Sequence, residues 1–273
     1  MAQAVFNRVE KKYLLTPEQY RLFRERVDAY LTQDRYSQYT IRNIYFDNDT
    51  DELIRTSIEK PEYKEKFRIR CYDQPDENSN VFLEIKKKCT GVVNKRRIIL
   101  PYVQAKQFLK TGKAEGADPQ ITKEISYVIV HYGLYPKLYL AYDRLAYFAT
   151  EDPSFRITFD YNIRSRRENL ILSSDEDTEL LLEPGYMLME VKIHNAMPLW
   201  FVNILSELEI RNISFSKYGT IYKNELLRKR GTNFGRNPSV ISQWNPNNSE
   251  YADGILVCPC SRDHGSADLI NLS

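Results

Sequence analysis

The chain has 273 residues, with 39 Lys and Arg against 37 Asp and Glu and a net charge of +2. That balance excludes a polyanion binder built on overall charge and leaves any basic site to local arrangement. The 28% charged and 12% aromatic content, with 20 Tyr, fits a soluble strand-rich chain large enough for one substantial β-domain.

From the N-terminus, MAQAVFNRVEKKYLL carries no signal-peptide pattern, and no later run approaches the ~20 apolar residues that span a bilayer. A cytoplasmic location is therefore expected. Period-2 patterning predicts strands over about 5–14, 39–47, 62–73, 80–88, 92–100, 137–149, 155–163 and 186–194. Turn residues separate most of them, among them Asp47-Asn48-Asp49, Thr90-Gly91 and Glu183-Pro184-Gly185. Thr16-Pro17-Glu18-Gln19 predicts a helix opened by a capping box. Its apolar residues Tyr20, Phe23, Val27 and Leu31 recur on one side. Further helices are predicted near 103–111, 120–132, 198–208 and 215–229, the last ending at Gly231. After about residue 231 the chain turns rich in Asn, Gly, Ser and Pro and reads as a loosely ordered tail, 231–273, behind a domain over 1–230. Cys71, Cys89, Cys258 and Cys260 form no paired framework, so reduced thiols are expected. The spacing of Cys258, Cys260 and His264 fits no standard zinc site. His131 and His194 read as structural.

The sharpest pattern is EYKEKFRIRCY. Alternate side chains of a strand share a face, so Lys64, Lys66, Arg68 and Arg70 point one way and Glu65, Phe67, Ile69 and Cys71 the other. Same-face neighbours lie about 7 Å apart. Two like charges there repel by about 0.6 kcal/mol in water and about 2.4 kcal/mol at an effective dielectric of 20. Such a row costs little on an open solvent face; enclosed, it needs an anion. Six further segments repeat the design. Glu84, Lys86 and Lys88 share a face, as do Lys95 and Arg97, Tyr142 and Arg144, and Arg156, Thr158 and Asp160. Glu190 and Lys192 form another set, and Arg8, Glu10 and Lys12 the last. Most of these carry apolar residues opposite, which helices can cover. Closing the sheet collects the cations in one lumen, so the expected fold is α+β: a closed antiparallel eight-stranded β-barrel with flanking helices. The acids Glu10, Glu84 and Glu190 either pair with neighbouring lysines or supply oxygen ligands to a divalent metal that accompanies phosphate. Ser216-Lys217-Tyr218 opens a helix, where free N–H groups favour phosphate, although Ser in that place often serves only as a cap.

With these residues in view, the sequence resembles the polyphosphate polymerase domain of the vacuolar transporter chaperone (VTC) family, within the triphosphate tunnel metalloenzymes. The resemblance covers roughly 5–230. It rests on RVEKKYL at 8–14, YFD at 45–47, KFRIR at 66–70, LEIKK at 83–87 and KRR at 95–97. It continues with YDR at 142–144, RIT at 156–158, MEVK at 189–192 and FSKY at 215–218. It implies phosphate contacts from Lys12, Arg68, Arg70, Lys86, Lys95, Arg144, Arg156 and Lys217. It also implies a Mn2+ or Mg2+ ion on Glu190, with Tyr142 and Ser216 assisting. Strand parity adds Arg8, Lys64, Lys66, Arg97 and Lys192 to the phosphate-binding set and Glu10 to the metal set. The wider superfamily often opens on Glu-x-Glu-x-Lys; Arg8 stands at the first of those positions, which favours the VTC-like branch over the adenylate cyclase and thiamine triphosphatase branches.

The implied activity is extension of inorganic polyphosphate from the γ-phosphate of ATP. Hydrolysis of triphosphate or polyphosphate in the same tunnel, and non-catalytic polyphosphate binding, are the alternatives. Aromatics interleave with the basic residues (Phe67, Tyr72, Tyr142), as in single-strand binders. The acids within the cationic faces argue against a nucleic-acid groove, so no nucleic acid is expected. The family's regulatory and membrane domains have no counterpart in these residues, which leaves a membrane-protein partner open.

Overall fold

The computed structural model describes residues 9–59, 61–90, 92–194 and 196–229. Arg8 and the 231–273 tail, with Cys258, Cys260 and His264, lie outside the described residues. Among the described residues nine strands form one antiparallel sheet. They are β1 (Val9–Leu15), β2 (Leu31–Asp47), β3 (Tyr63–Tyr72), β4 (Asn80–Cys89), β5 (Val92–Pro101), β6 (Tyr135–Ala149), β7 (Arg156–Arg166), β8 (Glu179–Leu180) and β9 (Met187–Ile193). Among the described residues six α-helices accompany them: α1 (Pro17–Val27), α2 (Glu52–Glu59), α3 (Tyr102–Thr111), α4 (Pro119–Tyr132), α5 (Leu199–Glu207) and α6 (Lys217–Lys229).

The neighbour order is β1-β9-β7-β6-β2-β3-β4-β5, with the short β8 added to β7. This corrects the expected closed eight-stranded barrel: the sheet has nine strands, and no ladder joins β1 to β5 among the described residues. The cause is visible at β1. Its edge away from β9 is taken by the segment before α6: Tyr13 bridges to Asn212, Ile213 N–H donates to Lys12 O at 2.8 Å, and Asn212 Oδ1 accepts from Lys12 N–H. The Lys12 N–H and C=O, which closure would need, are thus already bonded.

Parity works as the alternating sequence requires. In β3, Glu65, Phe67, Ile69 and Cys71 are buried while Lys64, Lys66, Arg68 and Arg70 are half-buried on the other face. The apolar face of β3, β4 and β5 packs beneath α3 and α4, with Phe67, Leu83, Ile85, Phe108 and Ile125 in one cluster. A second cluster joins β1, β7 and β9 to α1 and α5 through Phe23, Phe159, Val191 and Phe201. The third lies on the cation-bearing face itself, where Ile41, Tyr45, Leu138, Leu140 and Tyr142 meet Phe215, Tyr218 and Ile221 at α6. α6 therefore covers part of that face and carries its own first residues onto it.

Local signals set the boundaries. Thr16 Oγ1 accepts from Gln19 N–H and the Gln19 side chain accepts from Thr16 N–H, the predicted capping box. Gly185 takes φ 86°, the left-handed conformation its turn needs. α2 has a different start: both Asp47 carboxylate oxygens accept backbone N–H groups, from Leu53 and Ile54, at 2.9 Å.

Candidate active site

Strand register carries one face continuously around the sheet. Lys12 lies opposite Glu190, Glu190 opposite Thr158, and Asp160 opposite Arg144. Arg144 pairs with Tyr39, Asn43 with Arg70, Arg68 with Glu84, Lys66 with Lys86, and Lys86 with Lys95. Cations from distant strands meet on this face in two groups, each built around a buried carboxylate, joined by a lysine-rich stretch.

The first group centres on Glu190, whose side chain is 10% exposed. Its Oε1 lies 3.0 Å from Lys217 Nζ and 3.4 Å from Lys12 Nζ, and its Oε2 is 3.2 Å from Arg144 Nη2. Arg144 also grips Asp160 through two hydrogen bonds of 2.5 and 2.7 Å, and Lys217 Nζ reaches the same carboxylate at 2.5 Å. Lys12 Nζ donates to Phe215 O at 3.0 Å and stands 3.5 Å from Glu10. Burial opposes ionisation of Glu190, but Lys217, Lys12 and Arg144 overcome it and hold its carboxyl well below the usual range. Lys217 is raised despite burial, by Asp160 and Glu190. Tyr142 supplies a ring face to both Arg144 and Lys217, at 5.3 and 4.5 Å.

The second group centres on Glu84, whose side chain is 2% exposed. Arg68 meets it at 2.8–2.9 Å, Lys95 at 2.5 Å and Arg70 at 3.9 Å. Burial works against its charge, yet Arg68, Arg70 and Lys95 bring the carboxyl down to about 2. Tyr45 hydroxyl accepts from Arg68 at 2.8 Å, and Asn43 Oδ1 accepts from Arg70 at 3.1 Å.

Between the two groups stand Lys66 and Lys86. Burial, followed by repulsion from Lys86, Lys64 and Lys12, brings Lys66 down to about 8 even though Tyr45 opposes the shift. Lys86 is lowered too, by burial first and then by Arg68 and Lys12, against Glu10. Burial would raise Tyr45, but Arg68, Arg70 and Lys66 bring its hydroxyl down to about 8. The stretch is under positive strain that an entering anion would relieve.

Of the sequence-selected residues, Lys12, Lys66, Arg68, Arg70, Lys86, Lys95, Tyr142, Arg144, Glu190, Ser216 and Lys217 meet in this assembly. Ser216 caps α6, its Oγ accepting from Gly219 N–H at 3.2 Å and lying 3.5 Å from Lys66 Nζ. Lys192 faces Glu10 and Arg156 in register. Arg156 lies at the exposed rim, paired with Asp34 at 2.8 Å. Lys64 donates to Ser57 O on α2. Arg97 is exposed, with its guanidinium 5.0 Å over the Phe82 ring. Phe67 sits wholly in the core, away from the cations.

Sequence reasoning assigned no part to Tyr45 or Asn43 and placed Asp160 on the face without a role. The available signal was parity: Tyr39, Ile41, Asn43 and Tyr45 alternate along one strand, as Thr158 and Asp160 do along another.

A divalent ion would find Glu190 and Glu10 on either side of Lys12 Nζ. Among the described residues no group of three or more His, Cys, Asp or Glu could hold a metal. The donor set fits an ion that keeps one or two carboxylates and takes its remaining oxygens from phosphate and water, as Mg2+ does. It does not fit a self-sufficient protein cage.

Among the described residues no helix is long and apolar enough to cross a membrane. A solved protein from Bacillus halodurans, bh2851, provisionally assigned as an adenylate cyclase, superposes with a TM-score of 0.45 at 15% identity, covering 76% of this chain and 92% of that one. HpAC1 from Hippeastrum, described as having a dominant triphosphatase activity, gives a TM-score of 0.45 at 14% identity, with 84% and 98% covered. Subunit 4 of the vacuolar transporter chaperone complex of Schizosaccharomyces pombe is 29% identical over 151 residues, 47% of this chain. The matched stretch is 21% of that subunit's length. The VTC domain profile matches residues 7–224. The chain belongs to the VTC domain family.

Proposed function

We propose that this chain is a metal-dependent phosphoryl transferase that extends inorganic polyphosphate from the γ-phosphate of ATP. The supporting observation is the continuous cationic face, on which Lys12, Arg68, Arg70, Lys86, Lys95, Arg144 and Lys217 converge from five strands and a helix start. Arg156, Lys192, Lys64, Lys66 and Arg97 extend the basic surface for a longer chain, and Tyr142 and Ser216 orient the groups beside them. The working unit is the 1–230 region, acting in the cytoplasm with ATP and polyphosphate as its partners.

The terminal oxygen of the acceptor chain forms a bond to the γ-phosphorus as the bond to the β-bridging oxygen breaks, and ADP leaves. With all phosphates ionised the charges balance, so no proton is gained or lost and no protein base is required. The residues act by position and charge. Arg68, Arg70 and Lys95, turning from Glu84, clamp the donor, and Lys12, Arg144 and Lys217 hold the γ-phosphoryl group beside Glu190. Glu190 and Glu10 would hold Mn2+ or Mg2+, which would supply charge neutralisation on phosphate oxygens.

Incubating the protein with ATP and Mn2+ tests this. Long phosphate chains with stoichiometric ADP are expected. Orthophosphate alone would assign the face to hydrolysis, and no consumption of ATP, triphosphate or polyphosphate would defeat the enzymatic reading.

A further inference from the structure

We propose that Tyr39, Tyr72 and Phe82 form a stacking platform for the base of a nucleoside triphosphate at one end of the cationic face. This deepens the function proposed above and rests on it. Each ring continues a row that carries an arginine. Tyr72 is the next same-face residue after Arg70, Phe82 lies opposite Arg70 in register, and Tyr39 lies opposite Arg144. The rings form a chain: Tyr39 to Tyr72 at 5.6 Å and 69°, then Tyr72 to Phe82 at 5.5 Å and 83°. Arg97 lies over Phe82 at 5.0 Å.

This group lies at the edge of the core, not within it. Tyr72 is 44% exposed, whereas Phe67 on the opposite face of the same strand is fully buried. Tyr39 packs at the margin of the third cluster, and Tyr72 and Phe82 lie outside all three. Same-face neighbours on a strand stand about 7 Å apart, the order of the span from an α-phosphate across a ribose to its base. A triphosphate held at Arg70 and Arg144 thus brings its base to Tyr72. Edge-to-face contacts order the rings against one another, which lowers the entropy lost on stacking. A π-face accepts any base, so the platform selects nucleotide over bare phosphate and discriminates little between adenine and guanine.

The test compares ATP, GTP and inorganic triphosphate by titration calorimetry in wild type, Tyr72→Ala, Phe82→Ala and Tyr72→Trp at fixed Mg2+. Either alanine variant should weaken ATP and GTP about tenfold and leave inorganic triphosphate within about twofold. Tyr72→Trp, which keeps a stacking face, should restore nucleotide affinity. ATP binding unchanged in both alanine variants would overturn the platform alone, as would equal weakening of ATP and inorganic triphosphate. A wild-type protein that binds neither ligand would overturn the phosphate-face reading, and the platform with it.

Discussion

Lys217 Nζ and Glu190 Oε1 are 3.0 Å apart, although one residue opens α6 and the other lies mid-strand in β9. This contact joins the helix that covers part of the cationic face to the sheet wall. It also brings an ammonium and a carboxylate together where neither would stay charged alone.

Asp160 carries much of that balance. Its fully buried carboxylate takes Arg144 and Lys217 together. Asp160→Asn should lower stability by roughly 3–5 kcal/mol, because two buried cations lose a counter-charge. Urea unfolding measures the loss. Added triphosphate should restore more stability to the variant than to wild type, since the ligand replaces the missing negative charge.

Glu190→Gln removes the central carboxylate and keeps the side chain's shape. Turnover with Mn2+ should fall on the order of 100-fold, while triphosphate binds at least as tightly as in wild type. Steady-state kinetics and calorimetry measure the two separately. Unchanged turnover would remove Glu190 from any metal role.

Anion binding should be linked to proton uptake near pH 8. Lys66 is depressed to about 8, chiefly by burial and then by neighbouring lysines, and Tyr45 is brought to the same value by Arg68, Arg70 and Lys66. An entering anion favours the protonated form of both groups. Calorimetry in two buffers of different ionisation enthalpy should show uptake between about pH 8 and 9, and Lys66→Met should reduce it.

Acid should destabilise the protein partly through Glu84. Its folded value of about 2 lies below the ordinary 4.5, so its contribution is complete above pH 4.5 and is lost as pH falls toward 2. The difference amounts to about 3 kcal/mol. Subtracting the stability-pH curve of Glu84→Gln from that of wild type isolates it; a flat difference between pH 4.5 and 2 would contradict the pairing of Glu84 with Arg68, Arg70 and Lys95.

Much of this architecture was legible in the sequence because a strand with one apolar face announces its parity. EYKEKFRIRCY gave four cations on one face, and the structure keeps them there. Thr16 and Gln19 marked α1 because a capping box is local chemistry. Three features were hidden for physical reasons. The first half of β2, from Thr32 to Gln38, is almost entirely polar and shows no alternation. α2 is eight residues long and starts on Asp47 and Asn48, which read equally as a turn. Parity assigns a face to each residue but says nothing of whether two distant edges meet, so closure was inferred where Asn212 and Ile213 in fact occupy the edge of β1.

The shared face makes the wall intolerant of slippage. Deleting a single residue within Tyr63–Tyr72 would turn every later side chain through half a pleat, driving guanidinium groups beneath α3 and apolar rings among the lysines. Removing two adjacent residues would preserve the sidedness. Engineered length changes therefore belong in connections such as 73–79, or in strands only by even steps.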